Sequence, residues 1–200
     1  MKVVSTKKKG AEAPRLNRDD WLNATFDAAA EGGFDNVRVL AIAEKLGVTR
    51  GSFYWHFTDH ADLVSAVLTR WRDREVALLD SLPTGPELAP KVELEQLLDS
   101  AMAHASEDIK NIRFELALRG LARRDPLVEQ LLQDVDSARL HLFEQKFRRL
   151  IMDPTMAAEL AALFYLAVVG SHQALSRPST TPRLKDYLRK IIAEHLIHRQ

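Results

Sequence analysis

Apolar residues recur along this chain at spacings of three and four, and Val, Ile and the aromatics form no runs of strict alternation. That periodicity predicts helices throughout and no sheet. A first helix begins after Asn17, a good capping residue with Asp19 and Asp20 in the favoured first turn, and stops at Gly32-Gly33. Val39, Leu40, Ile42, Ala43 and Leu46 give a second helix its apolar positions. Gly47 sits where that helix must stop and reverse, because glycine takes the left-handed conformation cheaply. Val48 fills the angle, Thr49 suits the cap of a third helix over 49–57, and Asn36 is the cap available to the second. Thr58 offers a cap for a fourth helix, whose Ala61, Val64, Val67, Leu68 and Trp71 continue to about Leu79. At 1.5 Å per residue it is about 30 Å long. The stretch LPTGPELAP, with Pro83, Pro86 and Pro90, is the clearest loop. Asp125-Pro126, Asp153-Pro154 and Thr181-Pro182 each place proline just inside a helix start. They divide the rest into helices near 91–105, 108–123, 126–150, 155–175 and 182–198. The expected fold is all-α, about nine helices arranged as three plus six.

Composition narrows the chemistry. The 200 residues are 46% apolar, ample for a core, and contain no cysteine, so disulfides, thiolate metal sites and cysteine nucleophiles are excluded. The N-terminus lacks the apolar stretch of a signal peptide. The longest apolar run, 160–170, falls far short of the roughly 20 residues that span a bilayer. These features predict a soluble cytoplasmic protein with no membrane partner. Net charge is zero, but its distribution is uneven: within residues 1–18, six cations against Glu12 alone leave +5, and the remainder carries −5. The polar, Lys-rich segment 1–14 is expected to be disordered. It is either an arm that follows a phosphate backbone or minor groove, or a solubilising tail.

Residues 39–63 have the form of a helix, a tight Gly turn and a short second helix, the arrangement that places its second helix in a DNA major groove. On a helical projection Phe53 and Phe57 point one way, toward a core, while Gly51 and Trp55 point the other, flanked by Ser52 and Tyr54. Taken alone, this pattern also fits an ordinary helical hairpin with an exposed aromatic. The further pieces Trp21-Leu22, Ala24, Phe26, Gly33-Phe34, Ile42-Ala43, Leu46-Gly47-Val48-Thr49, GSFYWHF and Asp62-Leu63 narrow the choice. With them, residues 18–67 resemble the N-terminal domain of the tetracycline-repressor (TetR) family of transcriptional regulators. The resemblance covers about a quarter of the chain strongly, and the rest only by helical layout.

The resemblance implies a helix-turn-helix DNA-binding domain over 15–62 and an effector-binding and dimerisation domain over 63–200. It implies a homodimeric repressor released from a palindromic DNA operator by a small, largely apolar effector, with no cofactor. Thr49 and Arg50 fall at the start of the recognition helix, where Arg50 can pair with guanine or grip a phosphate. Gly51 lets the backbone approach the groove, and Ser52 can hydrogen-bond to base or phosphate. Tyr54 and His56 match positions that reach the phosphate backbone in relatives, and Trp55 can meet thymine methyls or the sugar-phosphate wall. His60 stands where relatives often carry a basic phosphate contact. Arg38 departs from the usual Ser or Thr, and suits phosphate or minor-groove contact. Ala29 replaces a frequent large aromatic. Phe26, Phe34, Phe53 and Phe57 read as core.

The later helices are less specific. Leu160, Leu163, Phe164 and Ala167, with Leu188 and Ile192, match the helix pair that forms a dimer bundle in the family; the alternative is a helix buried within one chain. Candidates to line a ligand pocket are Trp71, Met102, His104, Phe114, Leu118, His141, Leu142 and Phe143, each also readable as plain core or surface. Arg113, Glu115 and Arg119 read as an ion-pair face of one helix. An enzyme is the competing class. Yet the seven histidines form no HExxH pair, His195 and His198 share only an i, i+3 spacing near the end, and there is no Gly-rich phosphate loop or GxSxG. A DNA-binding protein controlled by a partner instead of a small ligand is the third reading.

Overall fold

The computed structural model describes residues 16–81, 89–173, 187 and 190, without the side chains of 98, 101–107 and 171–173. Helix α1 (Arg18–Gly32) opens on a reciprocal cap: Asp20 N–H donates to the Asn17 side chain at 3.1 Å, and Asn17 N–H donates to the Asp20 carboxylate at 2.8 Å. It closes at Gly33, whose φ of 78° lets its N–H turn back to the Ala29 carbonyl at 2.8 Å. A single 3-10 turn (Phe34–Asn36) leads to α2 (Val39–Lys45), α3 (Arg50–Phe53) and α4 (His60–Ser81). Then follow α5 (Pro90–Glu107), α6 (Ile109–Ala122), α7 (Pro126–Arg148) and α8 (Pro154–Gln173). The described residues are thus all-helical, and the expected helix near 182–198 lies outside them apart from 187 and 190.

The α2–α3 turn is built by Gly47, at φ 70°. Its N–H donates to Glu44 O at 3.1 Å, and Val48 N–H reaches back to Ala43 O at 3.0 Å, the paired closure of a Schellman motif. Four details depart from the sequence pattern. Leu40 is exposed, since this short helix turns only Ile42 and Ala43 fully inward. The third helix is shorter than 49–57: beyond Phe53 the chain tightens, with Trp55 N–H donating to Ser52 O and His56 N–H to Phe53 O. Neither Asn36 nor Thr49 caps a helix with its side chain, because Asn36 is taken up in the 3-10 turn and Thr49 holds its place by backbone geometry alone. The cap of α4 is Asp59 instead of Thr58: its carboxylate accepts from Asp62 N at 2.8 Å, while Thr58 N donates to Asp62 at 2.9 Å.

Two apolar cores result. The first joins α1–α4 to α6 and α7 through Trp21, Phe53, Phe57, Leu63, Val67, Trp71, Phe114, Leu118 and Val135. The second joins α5, α7 and α8 through Leu94, Leu97, Phe143, Phe147, Leu160 and Phe164. Helix α6 lies across α1: Phe26 stacks on Phe114 at 4.4 Å, Phe34 meets the same ring edge-on at 5.5 Å, and Lys110 pairs with Asp27 at 2.9 Å. Burying Phe114 and Leu118 here stabilises by about 2–3 kcal/mol each.

This packing corrects several expected roles. Trp71, Phe114 and Leu118 form the seam between the N-terminal helices and the rest, because their buried faces meet α1 and α4. On α8, Leu160 and Phe164 pack inward, while Leu163 and Leu166 stand 53% and 66% exposed and Ala167 is half-buried. A stripe at three-and-four spacing can face only one way, and positions 160 and 164 face the chain's own core. Leu188 and Ile192 lie outside the described residues.

A Cβ at Gly47 would meet nothing within 4 Å, so replacing it tests backbone conformation alone. Gly47→Ala is expected to destabilise the chain by about 1 kcal/mol, measured as a lower denaturation midpoint at unchanged m-value.

Candidate nucleic-acid interface and inner cavity

The turn that ends α2 and the short α3 present a continuous polar and aromatic face. Phe53 and Phe57, stacked at 5.5 Å, anchor its back in the core, with Trp21 edge-on to Phe53 at 5.4 Å. A four-residue helix cannot stand alone, and this burial holds it. On the front, Thr49, Arg50, Gly51 and Tyr54 are exposed, and Trp55 is 87% exposed. The indole thus stands in water beside a glycine. The Arg50 guanidinium donates to Tyr54 Oη at 3.3 Å, which aims both side chains together. Arg38 is exposed at the start of α2, and the half-buried His56 borders the same turn.

Two expected contacts change. The Ser52 hydroxyl oxygen, expected to meet base or phosphate, is buried. His60 Nε2 lies 2.7 Å from Val37 O; a carbonyl only accepts, so the ring donates there and ties the start of α4 to the turn before α2. Only its other nitrogen remains for a phosphate. Arg18 adds a cation to the neighbourhood, its guanidinium 4.8 Å from the Phe57 ring centre.

Behind this face, a cavity of about 170 Å³ opens between α4, α5, α6, α7 and α8. Leu78, Leu79, Leu97, Ile112, Phe143 and Val168 give it apolar walls, and Glu75, Asn111, Glu115, Arg139 and Tyr165 a polar one. Of the residues proposed from sequence to line a pocket, Phe143 does so; His141 is exposed and pairs with Gln145, and Leu142 is half-buried in the second core. Met102 and His104 fall on α5 among the side chains outside the described set.

The polar wall was not legible as such. Glu115 and Arg119 do pair along α6 at 2.7 Å, as their spacing suggests, while Arg113 is exposed. The pair extends into a cross-helix network, however. Arg139 of α7 donates to Glu115 at 3.0 and 3.1 Å and to Glu75 of α4 at 2.7 Å, and Arg119 donates to Asp136 at 2.8 and 2.9 Å. Asn111 bridges this network to the core, donating to Glu75 at 2.9 Å and accepting from the Trp71 indole at 3.0 Å. Burial alone would raise the Glu115 carboxyl, but Arg139 and Arg119 together hold it below its ordinary value. Burial and the neighbouring Asp136 push the Tyr165 hydroxyl up to about 12, so it stays a neutral phenol. Burial opposes the charge on Arg139, yet Glu115 and Glu75 keep it protonated.

The fold is that of a helix-turn-helix protein with a larger helical body. Residues 22–67 match the sequence model described as bacterial regulatory proteins, tetR family. The HTH-type transcriptional repressor KstR of Mycolicibacterium smegmatis is 35% identical over 78 residues, which is 39% of this chain and 38% of that protein. The match therefore spans well under half of that relative's length. A transcriptional regulator of Streptomyces coelicolor shares the fold with a TM-score of 0.65 at 25% identity, over 90% of this chain and 98% of that one. One from Pseudomonas aeruginosa has a TM-score of 0.68 at 20% identity, over 91% and 92%.

Glu115→Gln is expected to cost about 1–3 kcal/mol of stability at neutral pH, since it removes the charged acceptor that Arg139 and Arg119 share and leaves them only Glu75 and Asp136. The native carboxyl titrates below its ordinary 4.5, so its contribution is complete above that pH and is lost as pH falls through the lower folded value. Denaturation curves of the wild type and the variant should therefore converge in acid; a gap that stays constant down to acid pH would remove Glu115 from the account.

Proposed function

We propose that this chain is a DNA-binding transcriptional regulator of the cytoplasm, acting as a homodimeric repressor that a small, largely apolar effector releases from a palindromic operator. The observation that carries the reading is the face of residues 49–56, where Trp55 stands in solvent beside Gly51 and the Arg50–Tyr54 pair. In this reading residues 15–62 bind DNA, residues 63–200 bind the effector and dimerise, and the Lys-rich segment 1–14, outside the described residues, adds affinity through phosphates. Arg38, Thr49, Arg50, Tyr54, Trp55 and His56 are the contacting side chains, with His60 a weaker one through its remaining nitrogen.

Dimerisation sets the spacing of two recognition helices at one DNA turn, roughly 34–36 Å. The dimer surface is the outer stripe of α8, where Thr155, Glu159, Leu163, Leu166 and Gly170 are all exposed at three-and-four spacing. The cavity abuts Glu75 near the end of α4, and α4 begins at the recognition turn through His60 and Leu63. An effector that moves α4 there changes the separation of the paired recognition helices. It need favour the released state by only a few kcal/mol to switch occupancy.

Selection of bound sequences from random duplex DNA should return a palindrome. Against it, Arg50→Ala is expected to relax preference at one or two base positions at a cost of about 1–3 kcal/mol, whereas uniform weakening across sequences would make Arg50 a phosphate contact. Separately, the double substitution Leu163→Glu and Leu166→Glu should yield a folded monomer in analytical ultracentrifugation with the half-site spacing lost. A dimer that persists would move the interface off α8.

A further inference from the structure

The polar wall of the cavity is not charge-balanced. Among the described residues it presents two carboxylates, Glu75 and Glu115, against one guanidinium, Arg139. Behind it Arg119 is shared between Glu115 and Asp136, so the network as a whole holds three carboxylates against two guanidiniums. Glu115 is held ionised by its two arginines. Glu75 is 5% exposed, and its oxygens each accept one bond, from Asn111 at 2.9 Å and Arg139 at 2.7 Å, leaving lone pairs for another donor. One negative charge thus stands uncompensated in this largely buried network, whose Glu75 and Glu115 line the cavity, and it is weakly screened there. The same cavity is lined by aromatic and aliphatic side chains, including Phe143 and Tyr165 with ring centres 6.3 Å apart. Carboxylate excess and aromatic rings together are the environment that stabilises an organic ammonium and repels an anion.

We propose that the cavity takes an organic cation, a quaternary ammonium or protonated amine carried on an apolar body about the size of one aromatic ring, with its nitrogen against Glu75 and Glu115. The volume accommodates such a body: a closed apolar cavity of about 150 Å³ holds a benzene, and this one, open to solvent at its mouth, measures about 170 Å³. The inference rests on reading the cavity as the effector site. Its cation occupies the place where α4 is tied to α6 and α7, so it competes with Arg139 for Glu75. That competition gives ligand binding a direct hold on α4.

The test uses the full chain and three probes of similar shape in isothermal titration: benzyltrimethylammonium, its neutral carbon isostere neopentylbenzene, and the anion 3-phenylpropanoate. The cation should bind one site per chain at least about tenfold more tightly than the neutral isostere, with the anion weakest. Glu75→Gln should remove that advantage, and the wild-type ranking stands as evidence even if this variant folds poorly. A neutral or anionic probe that binds as well as the cation, or no binding by any of the three, overturns the assignment. Operator binding is read in parallel. Release of DNA by the neutral or anionic probe would retain the effector site and discard the cation. A cation that binds at Glu75 yet leaves DNA affinity unchanged would keep the ligand class and discard the cavity's regulatory role.

Discussion

Arg139 is the charge around which the body of this protein is arranged. A guanidinium that is mostly buried must have its charge met within the chain, or it leaves an uncompensated ion in the interior. Here it is met from two other helices, by Glu75 of α4 and Glu115 of α6. Because a guanidinium presents its donors in one plane at fixed angles, it fixes where those carboxylates stand, and so where α4 and α6 stand relative to α7. Its position 6.0 Å from the Trp71 ring centre adds a contact with the core below. Such a network adds little net stability compared with an apolar replacement, but it specifies one helix arrangement and makes departures from it costly. A purely apolar contact at this point would tolerate sliding.

The consequence runs along α4. Its first turn is tied by His60 to the Val37 carbonyl and by Leu63 to the core under the recognition turn; Glu75, four turns on, is tied to Arg139. The distance along the helix axis between His60 and Glu75 is about 22 Å at 1.5 Å per residue. A regular helix transmits displacement at one end to the other with little loss, so both ends report on one another. The second link, Phe26 and Phe34 against Phe114 of α6, means that α6 cannot shift alone either. The N-terminal helices are therefore packed onto the body at two places, one rigid rod and one aromatic stack, and not hung from it by a linker.

Much of this was legible in the residues. Gly47 and Gly33 announce their turns because only a left-handed residue closes an α-helix that way, and both have positive φ. The prolines at 126 and 154 mark helix starts for an equally local reason. Trp55 outward with Phe53 and Phe57 inward follows from helical projection over a few residues. What was not legible depends on partners distant in sequence. Arg113 and Arg119 look alike beside Glu115, and only the arrival of Arg139 and Asp136 from α7 decides that Arg119 is the one drawn in. Trp71, Phe114 and Leu118 carry the same apolar signal whether they line a cavity or fill a seam. Leu160 and Leu163 likewise differ only in which way α8 is rotated, which the helix does not specify by itself. The burial of the Ser52 hydroxyl has no sequence signature at all, since serine suits either face.

The zero net charge of the chain fits this division of labour once charge is read locally. Cations are concentrated in residues 1–18, which precede the helices of the recognition turn in sequence. The compensating negative charge is spread over the remainder, and part of it is internal, on Glu75 and Glu115. A carboxylate excess at the surface would be screened by salt within about 10 Å. Inside the helical body it is not. The recognition turn and the buried carboxylates are separated by the length of α4, and the same helix connects them mechanically.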